Sequence, residues 1–249
     1  MRPIITLLTD FGTADGYVAE MKGVILTRAP EAELVDVTHD VQPQDIEGGR
    51  LAVARYWRRF PAGTVHVAVV DPNVGSARAA LAVESDGRFL VGPDNGVLSP
   101  ALLVTGARAV TLPIPSRAAP TFHGRDVFAP AAADLALGAT LDAIGSPALE
   151  FVVRRTPEPR RLADGSVEGQ VITIDRFGNA VTNLLGLRAR SIEVNGTLLP
   201  LRRSYAEVPE GEPVALVGST GLIEIAVRDG SGATAMGLER GSVVVLRQT

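Results

Sequence analysis

From Val67 to Val70 the chain is continuously apolar and, apart from Ala68, β-branched; Asp71 and Pro72 follow directly. Such a run suits a strand buried on both faces of a parallel sheet. Pro72 blocks further ladder bonding, and Asn73 and Gly75 tolerate positive φ, so the chain is expected to leave the sheet at Asp71. That puts an acid at the carboxyl edge, where open α/β folds bind ligands. Arg78, seven residues on, reaches the same edge if the turn is tight. A plainer reading, in which Asp71 merely caps a turn, stays open for a lone D-P-x-x-G.

Two earlier stretches repeat the pattern. Ile4 to Thr9 is a short apolar run ending in Asp10-Phe11-Gly12, and Leu34 to Thr38 ends in His39-Asp40. Between them Val18, Met21 and Ile25 fall on one helical face, and Pro30 ends that helix. A helix from about Asp45 to Phe60 carries Ile46, Val53 and Trp57 inward before Pro61 stops it. A β-α-β-α-β order implies right-handed crossovers and a parallel sheet. After Arg78, Ser85-Asp86-Gly87 reads as a hairpin turn between Ala79–Val83 and Phe89–Val91. Gly92-Pro93-Asp94-Asn95-Gly96 is a second, polar turn, and Val110 to Ile114 is a further strand. Thr121-Phe122-His123-Gly124-Arg125-Asp126 opens a helix reaching about Leu137, with Pro130 tolerated in its first turns. His123 then lies near a helix N-terminus, where the dipole favours neutral imidazole.

Arg154 to Gly165, R-R-T-P-E-P-R-R-L-A-D-G, has two prolines, many charges and few apolar residues, as a linker does. Beyond it come short β-like runs: Val167–Ile174, Ala180–Leu184, Ser191–Val194, Pro213–Val217, Leu222–Val227 and Ser242–Leu246. Turn signals such as Asn195-Gly196 and Asp229-Gly230 separate them, as in a small antiparallel barrel or sandwich. The expected organisation is an N-terminal α/β domain with a mainly parallel sheet (1–153), a linker (154–165) and a C-terminal antiparallel barrel or sandwich (166–249).

Composition narrows the function classes. Among 249 residues 46% are hydrophobic and 21% charged, so a sizeable core is expected. A net charge of -4 argues against a general nucleic-acid or polybasic membrane surface. The chain has no cysteine, which removes disulfides, thiolate nucleophiles and cysteine metal sites. Lys22 is the single lysine. The N-terminus is too soon acidic for a signal peptide, and no apolar run approaches a membrane span, so a cytoplasmic location is expected.

Asp10, Asp71, Asp94 and His123 all fall at ends of expected elements in the first domain. Carboxylates there commonly accept both hydroxyls of a ribose. Neither G-x-G-x-x-G after the first strand nor a P-loop is present. His66 interrupts a strand and reads as structural, His39 is ambiguous, and His123 is the best acid/base candidate. A metal site built from Asp and His lacks any H-x-H or H-E-x-x-H spacing.

Six motifs together carry a resemblance: L-T-D-F-G (8–12), D-P-N-V-G-S-A-R (71–78), G-P-D-N-G (92–96), F-H-G-R-D (122–126), I-D-R-F-G-N-A-V-T-N (174–183) and S-T-G-L-I-E-I-A (219–226). In this order, over residues 4 to about 247, the chain resembles the SAM hydroxide adenosyltransferases, relatives of the fluorinase and chlorinase that attack the same substrate with halide. The family pattern usually has Gly where Asn73 stands; Asn also tolerates the left-handed region.

The resemblance implies a Rossmann-like α/β domain followed by a small antiparallel β-barrel domain, and a homotrimer with sites between neighbouring subunits. It also implies hydrolysis of S-adenosyl-L-methionine to adenosine and L-methionine; with no ligand-spaced cluster and no need of a Lewis acid in that chemistry, no metal or other cofactor is expected. Asp71, Arg78 and His123 would form the water-activating set: Arg78 as the fixed cation, Asp71 and His123 orienting the water and taking its proton. Asp10 would accept the ribose diol, and Asp175 would meet the methionine ammonium with Ser219 nearby. Asn179 would read the adenine edge between Phe177 and Tyr205, and the shared motifs add Asp94, Asn95 and Glu224 to the substrate-binding residues. Ordinary barrel core is the plainer reading of Phe177 and Tyr205. The halogenating relatives carry Arg where this chain has Thr220, Tyr at Asp71, and Tyr-Ser at His123-Gly124. A metal-dependent hydrolase of a nucleoside-type substrate and a non-catalytic SAM or adenosine sensor are the alternative functions.

Overall fold

The computed structural model describes residues 2–186 and 190–247. The chain divides into two compact units, the first ending at Arg155 and the second beginning at Thr156.

The first unit opens with β1 (Ile4–Thr9), α1 (Tyr17–Arg28), β2 (Glu33–Thr38), α2 (Ile46–Tyr56) and β3 (Val65–Val69). It continues through β4 (Ala80–Ser85), β5 (Arg88–Pro93), α3 (Ser99–Leu102), β6 (Arg108–Thr111), α4 (Ala129–Ala136), α5 (Leu141–Ile144) and β7 (Ser146–Pro147). The sheet order is β2-β1-β3-β5-β4-β6-β7. The pairings among β2, β1, β3 and β5 are parallel, and those of β4 and beyond are antiparallel. β4 reverses because Asp86 (φ 48°) and Gly87 (φ 68°) make a two-residue hairpin turn into β5.

Two apolar layers sandwich this sheet. One gathers Met21, Ile25, Leu7, Val67, Phe128 and Ala132; the other gathers Val53, Trp57, Leu8, Val70, Leu81 and Leu98. Each fully buried large side chain contributes about 1.5–3 kcal/mol, so β1 and β3, apolar toward both layers, are the firmest part of the unit. The parallel register sets Thr9 level with Val69, and Val67 level with Val91. Asp10, Asp71 and Asp94 therefore leave three adjacent strands at one edge of the sheet.

The helix expected from Thr121 begins differently: Gly124–Phe128 form a π-helical turn that runs into α4, with His123 capping it. Bare Gly124 permits this wide turn to press on Met21 and Phe122, where a Cβ would stand 3.2 Å from each.

The second unit holds β8 (Arg160–Arg161), β9 (Val167–Ile174), β10 (Ala180–Leu185), β11 (Ser191–Val194), β12 (Thr197–Arg202), β13 (Pro213–Val217), β14 (Leu222–Val227), α6 (Gly232–Met236) and β15 (Val243–Arg247). The order β10-β14-β13-β12-β11-β15-β9 closes through β9–β10 pairing into a seven-stranded barrel, with β8 added on β9. One pairing departs from the antiparallel expectation: β12 and β13 run parallel. The connection through residues 203–212 is long enough to carry the chain back, whereas antiparallel neighbours need only a hairpin. Asn195 (φ 48°) and Gly196 (φ 79°) form the expected turn and lead into β12, which is not among the β-like runs of the sequence.

Candidate active site

β3 ends under Val70, and the chain turns at Asp71 into the loop that returns through Arg78 to β4. β5 lies between β3 and β4, so this loop arches across the end of β5. The side chains of Asp71 and Arg78 are 4% and 7% exposed. Arg78 Nε donates to both oxygens of Asp71 at 3.0 Å, and its Nη2 donates to Asp71 Oδ2. The same Nη2 lies 2.9 Å from His123 Nδ1, and the guanidinium stands over the Phe128 ring at 5.5 Å. Arginine can only donate. Nδ1 therefore accepts, and the proton of the neutral imidazole is on Nε2. Burial and then the Arg78 charge hold the His123 pKa below the usual imidazole value, against the opposing pull of Asp71 and Asp126. At Gly75 (φ 80°) the loop touches the backbone of Pro120 so closely that any Cβ would collide with its carbonyl oxygen.

The other strand exits are held by local networks. Asp10 Oδ2 accepts from Gln44 N at 2.7 Å. His39 is buried and structural: Nδ1 is 2.9 Å from Thr9 Oγ1, Nε2 is 3.1 Å from Asp36 Oδ1, and its carbonyl accepts from Gly12 N. Asp94 Oδ1 accepts from Val152 N at 2.7 Å; burial pushes its carboxyl up, against that bond and the Arg78 charge. Asn95 is 7% exposed and spends its amide on backbone, donating to Val70 O and accepting from Val97 N. His66 is fully buried, with Nδ1 2.8 Å from Thr6 Oγ1 and its ring edge-on to Tyr56 and Phe60. A cleft of about 370 Å³ beside β1 is lined by Phe11, Tyr17, Phe122, Glu20 and Arg125, among others. Sequence reading had not marked Tyr17 or this aromatic trio, whose rings meet edge-to-face.

In the second unit a cleft of about 580 Å³ is lined by Phe177, Asn179, Tyr205, Ala206, Val227, Arg228, Asp229 and Gly230. Phe177 is 79% exposed and Tyr205 40%, so neither is barrel core. Asp175 builds the β9–β10 turn: Oδ1 accepts from the N–H groups of Phe177 and Asn179, and Oδ2 from the Asn179 amide, each at 2.9 Å. The Asn179 carbonyl oxygen and second amide proton make a pair of the kind that reads an adenine edge. Tyr205 donates to buried Glu224 at 3.2 Å. Glu224 in turn lies against bare Gly218, where any Cβ would collide with its carboxylate. Burial, then the Glu224 charge, raises the Tyr205 pKa and keeps its hydroxyl protonated. Ser219 and Thr220 sit exposed on the β13–β14 turn, outside the lining of this cleft. Asp229 is legible in the sequence only as part of a turn signal, and Arg228 carries no signal there.

Two family models match the chain: the SAM hydroxide adenosyltransferase N-terminal domain over residues 5–145, and the C-terminal domain over residues 169–245. The chain belongs to this family. A (R)-S-adenosyl-L-methionine hydrolase of Thermus thermophilus is 44% identical, over 99% of this chain and 100% of its own length. A fluorinase of Nocardia brasiliensis is 30% identical, over 99% and 97% respectively. A solved structure of an uncharacterized conserved protein from Thermotoga maritima superposes with a TM-score of 0.89 at 30% identity, covering 97% of this chain and 99% of that one. Among the described residues no His, Cys, Asp or Glu side chains gather in threes around a point that would hold an ion. No helix there is long and apolar enough to cross a membrane. Two groups stand out among these residues: the charged cluster Asp71–Arg78–His123, and Asn179 in the cleft that Phe177 and Tyr205 also line.

Proposed function

We propose that the protein hydrolyses S-adenosyl-L-methionine to adenosine and L-methionine by attack of water at the ribose 5′ carbon. The observation that carries this reading is the buried Arg78, whose single Nη2 serves both Asp71 and His123. As the C5′–O bond forms, the C5′–S bond breaks and its electron pair returns to sulfur. The sulfonium leaves as a neutral thioether, so the reaction needs neither a general acid nor a Lewis acid at the leaving group. What it needs is an aligned nucleophile with somewhere to send a proton.

In this reading the tasks are divided. His123 presents Nε2–H and so donates to the attacking oxygen instead of accepting from it. Asp71 takes the proton, because a carboxylate has about four acceptor positions and Arg78 does not use them all. Arg78 offsets the negative charge that builds on the oxygen. Asp71 also disfavours a halide nucleophile, since like charges at contact repel by about 1 kcal/mol even in water.

Adenine lies between Phe177 and Tyr205 with its edge on Asn179, and Asp10 accepts the ribose diol. Asp175, already committed to its turn, and exposed Ser219 lie at the methionine end. Asp94, Asn95 and Glu224 support these contacts from behind. We extend the proposal to a cytoplasmic homotrimer with sites shared by neighbouring subunits, acting without metal or cofactor and without nucleic-acid or membrane partners.

The test is incubation with S-adenosylmethionine in ¹⁸O-water, with chromatography and mass spectrometry of the products. Adenosine labelled at the 5′ oxygen, formed equally with EDTA and with excess chloride, is expected. Binding without turnover would make the protein a sensor; EDTA-sensitive turnover restored by a divalent ion would make it a metal-dependent hydrolase. A 5′-halo-nucleoside as main product would show that Asp71 and His123 do not select the nucleophile.

A further inference from the structure

The loop carrying Asp71 and Arg78 stands on two feet, Val70 and Ala79, which adjoin the ends of β3 and β4, two strands separated by β5. The residues leaving β5 reach both feet. Asn95 Nδ2 donates to Val70 O at 2.8 Å, and Asp94 N donates to Ala79 O at 2.9 Å. Arg78 Nη1 shares that Ala79 carbonyl at 3.3 Å. The Asn95 side chain is itself fixed, because its Oδ1 accepts from Val97 N at 3.1 Å and its backbone carbonyl accepts from Arg154 Nε at 2.9 Å. Val70 is fully buried. Its carbonyl lies past the end of the ladder, and an unpaired buried carbonyl is costly, so the amide of Asn95 has a definite task there.

We propose that Asn95 is a positioning residue of the reaction: through Val70 it sets where Asp71 stands relative to Arg78 and His123, and it touches no substrate. The proposal rests on the reading of those three residues as the catalytic set. It removes Asn95 from the substrate-binding residues, and Asp94 contributes its backbone N–H to the same clasp. A misplacement of reacting groups by about 1 Å can cost 10²-fold in rate, so a bond that holds one foot of the loop matters even though it lies beneath the chemistry.

The test compares Asn95→Ala and Asn95→Ser with Ser99→Ala. Serine keeps a short side-chain acceptor for Val97 N but cannot reach Val70. Ser99 Oγ donates to Gly96 O in the same segment and reaches neither foot. For each variant kcat, KM for S-adenosylmethionine and the pH dependence of kcat are measured alongside thermal unfolding. Both Asn95 variants should lose about 10- to 100-fold in kcat with KM little changed. Their acid limb should move to higher pH as Arg78 slackens its hold on His123, whose other charged neighbours are Asp71 and Asp126. Ser99→Ala should lower the unfolding temperature alone. Wild-type kcat and pH limb in folded Asn95→Ala or Asn95→Ser would overturn the proposal. Failure of both to fold would also overturn it, by making Asn95 a determinant of the fold. Wild-type turnover in Asp71→Asn would instead overturn the assignment of the catalytic set, and the clasp with it.

Discussion

Thr9 Oγ1 and His39 Nδ1 stand 2.9 Å apart, which ties the exit of β1 to the exit of β2. Thr9 Oγ1 also accepts from Phe11 N, and the His39 carbonyl accepts from Gly12 N. Asp10 is thus held from both sides by one histidine. His39→Ala should raise KM for S-adenosylmethionine by about 2- to 10-fold, the worth of one or two ordinary hydrogen bonds, with kcat changed less. Steady-state kinetics separates the two; an unchanged KM would free Asp10 of this dependence.

Asp71→Asn should lower kcat by about 10²- to 10⁴-fold, the usual range for loss of a general base, and His123→Ala by about 10²- to 10³-fold, the range for loss of one donor to the reacting oxygen. Calorimetry should show S-adenosylmethionine still bound, because the aromatic cleft is untouched. Loss of binding in a folded variant would move that residue from catalysis to recognition.

With His123 as the proposed neutral donor, activity should be flat above about pH 6.5, the ordinary imidazole value. It should fall only as the pH drops through the lowered pKa, where Nδ1 would gain a proton facing Arg78. Arg78→Met removes one of the two influences that hold this pKa down. NMR titration of the imidazole should then show its midpoint moved to higher pH, and a midpoint moved lower would contradict the tautomer assigned here.

Phe177→Ala should weaken binding by about 1–3 kcal/mol, the usual worth of a base stacked on an aromatic ring. The protein's stability should change little, because the ring is largely exposed. Titration calorimetry with adenosine reads the first expectation and thermal unfolding the second. A large loss of stability would return Phe177 to the barrel core.

His66 sets an acid limit on folding. Burial, then the charge of Arg88, lowers its pKa to about 4. Above pH 6.5 both the folded and unfolded states are neutral there. Between pH 6.5 and 4 only the unfolded state takes up the proton, so stability falls as the pH falls. At 1.36 kcal/mol per unit the loss sums to about 3 kcal/mol. Denaturant unfolding of wild type and His66→Gln across this window should show the slope flattened in the variant.

The sequence made legible what depends on pattern. Buried runs ending in acids located Asp10, Asp71 and Asp94, and the spacing of Val18, Met21 and Ile25 chose the buried face of α1. Motif resemblance brought Phe177, Asn179 and Tyr205 together, as the cleft does. What stayed hidden depends on direction and partner choice. β12, with Pro200 opposite Ser191, is absent from the β-like runs of the pattern. The π turn before α4 leaves no signature in apolar spacing. Asp175 and Asn95 resembled ligand-binding polar residues, and only three-dimensional placement shows how much of their capacity the backbone already uses.

The contact of Gly75 with Pro120 bears on how substrate enters and leaves. The loop is rooted at Val70 and Ala79 and docked at its tip on the segment that leads to His123, so it cannot serve as a flap. Whatever opens to admit a molecule with a sulfonium, a sugar and a purine must be some other part of the protein. Turnover limited by product escape would therefore respond to changes elsewhere and leave the Asp71–Arg78 geometry undisturbed. For an engineer this separates two dials: residues that gate passage can be altered without shifting the Asp71–Arg78 pair.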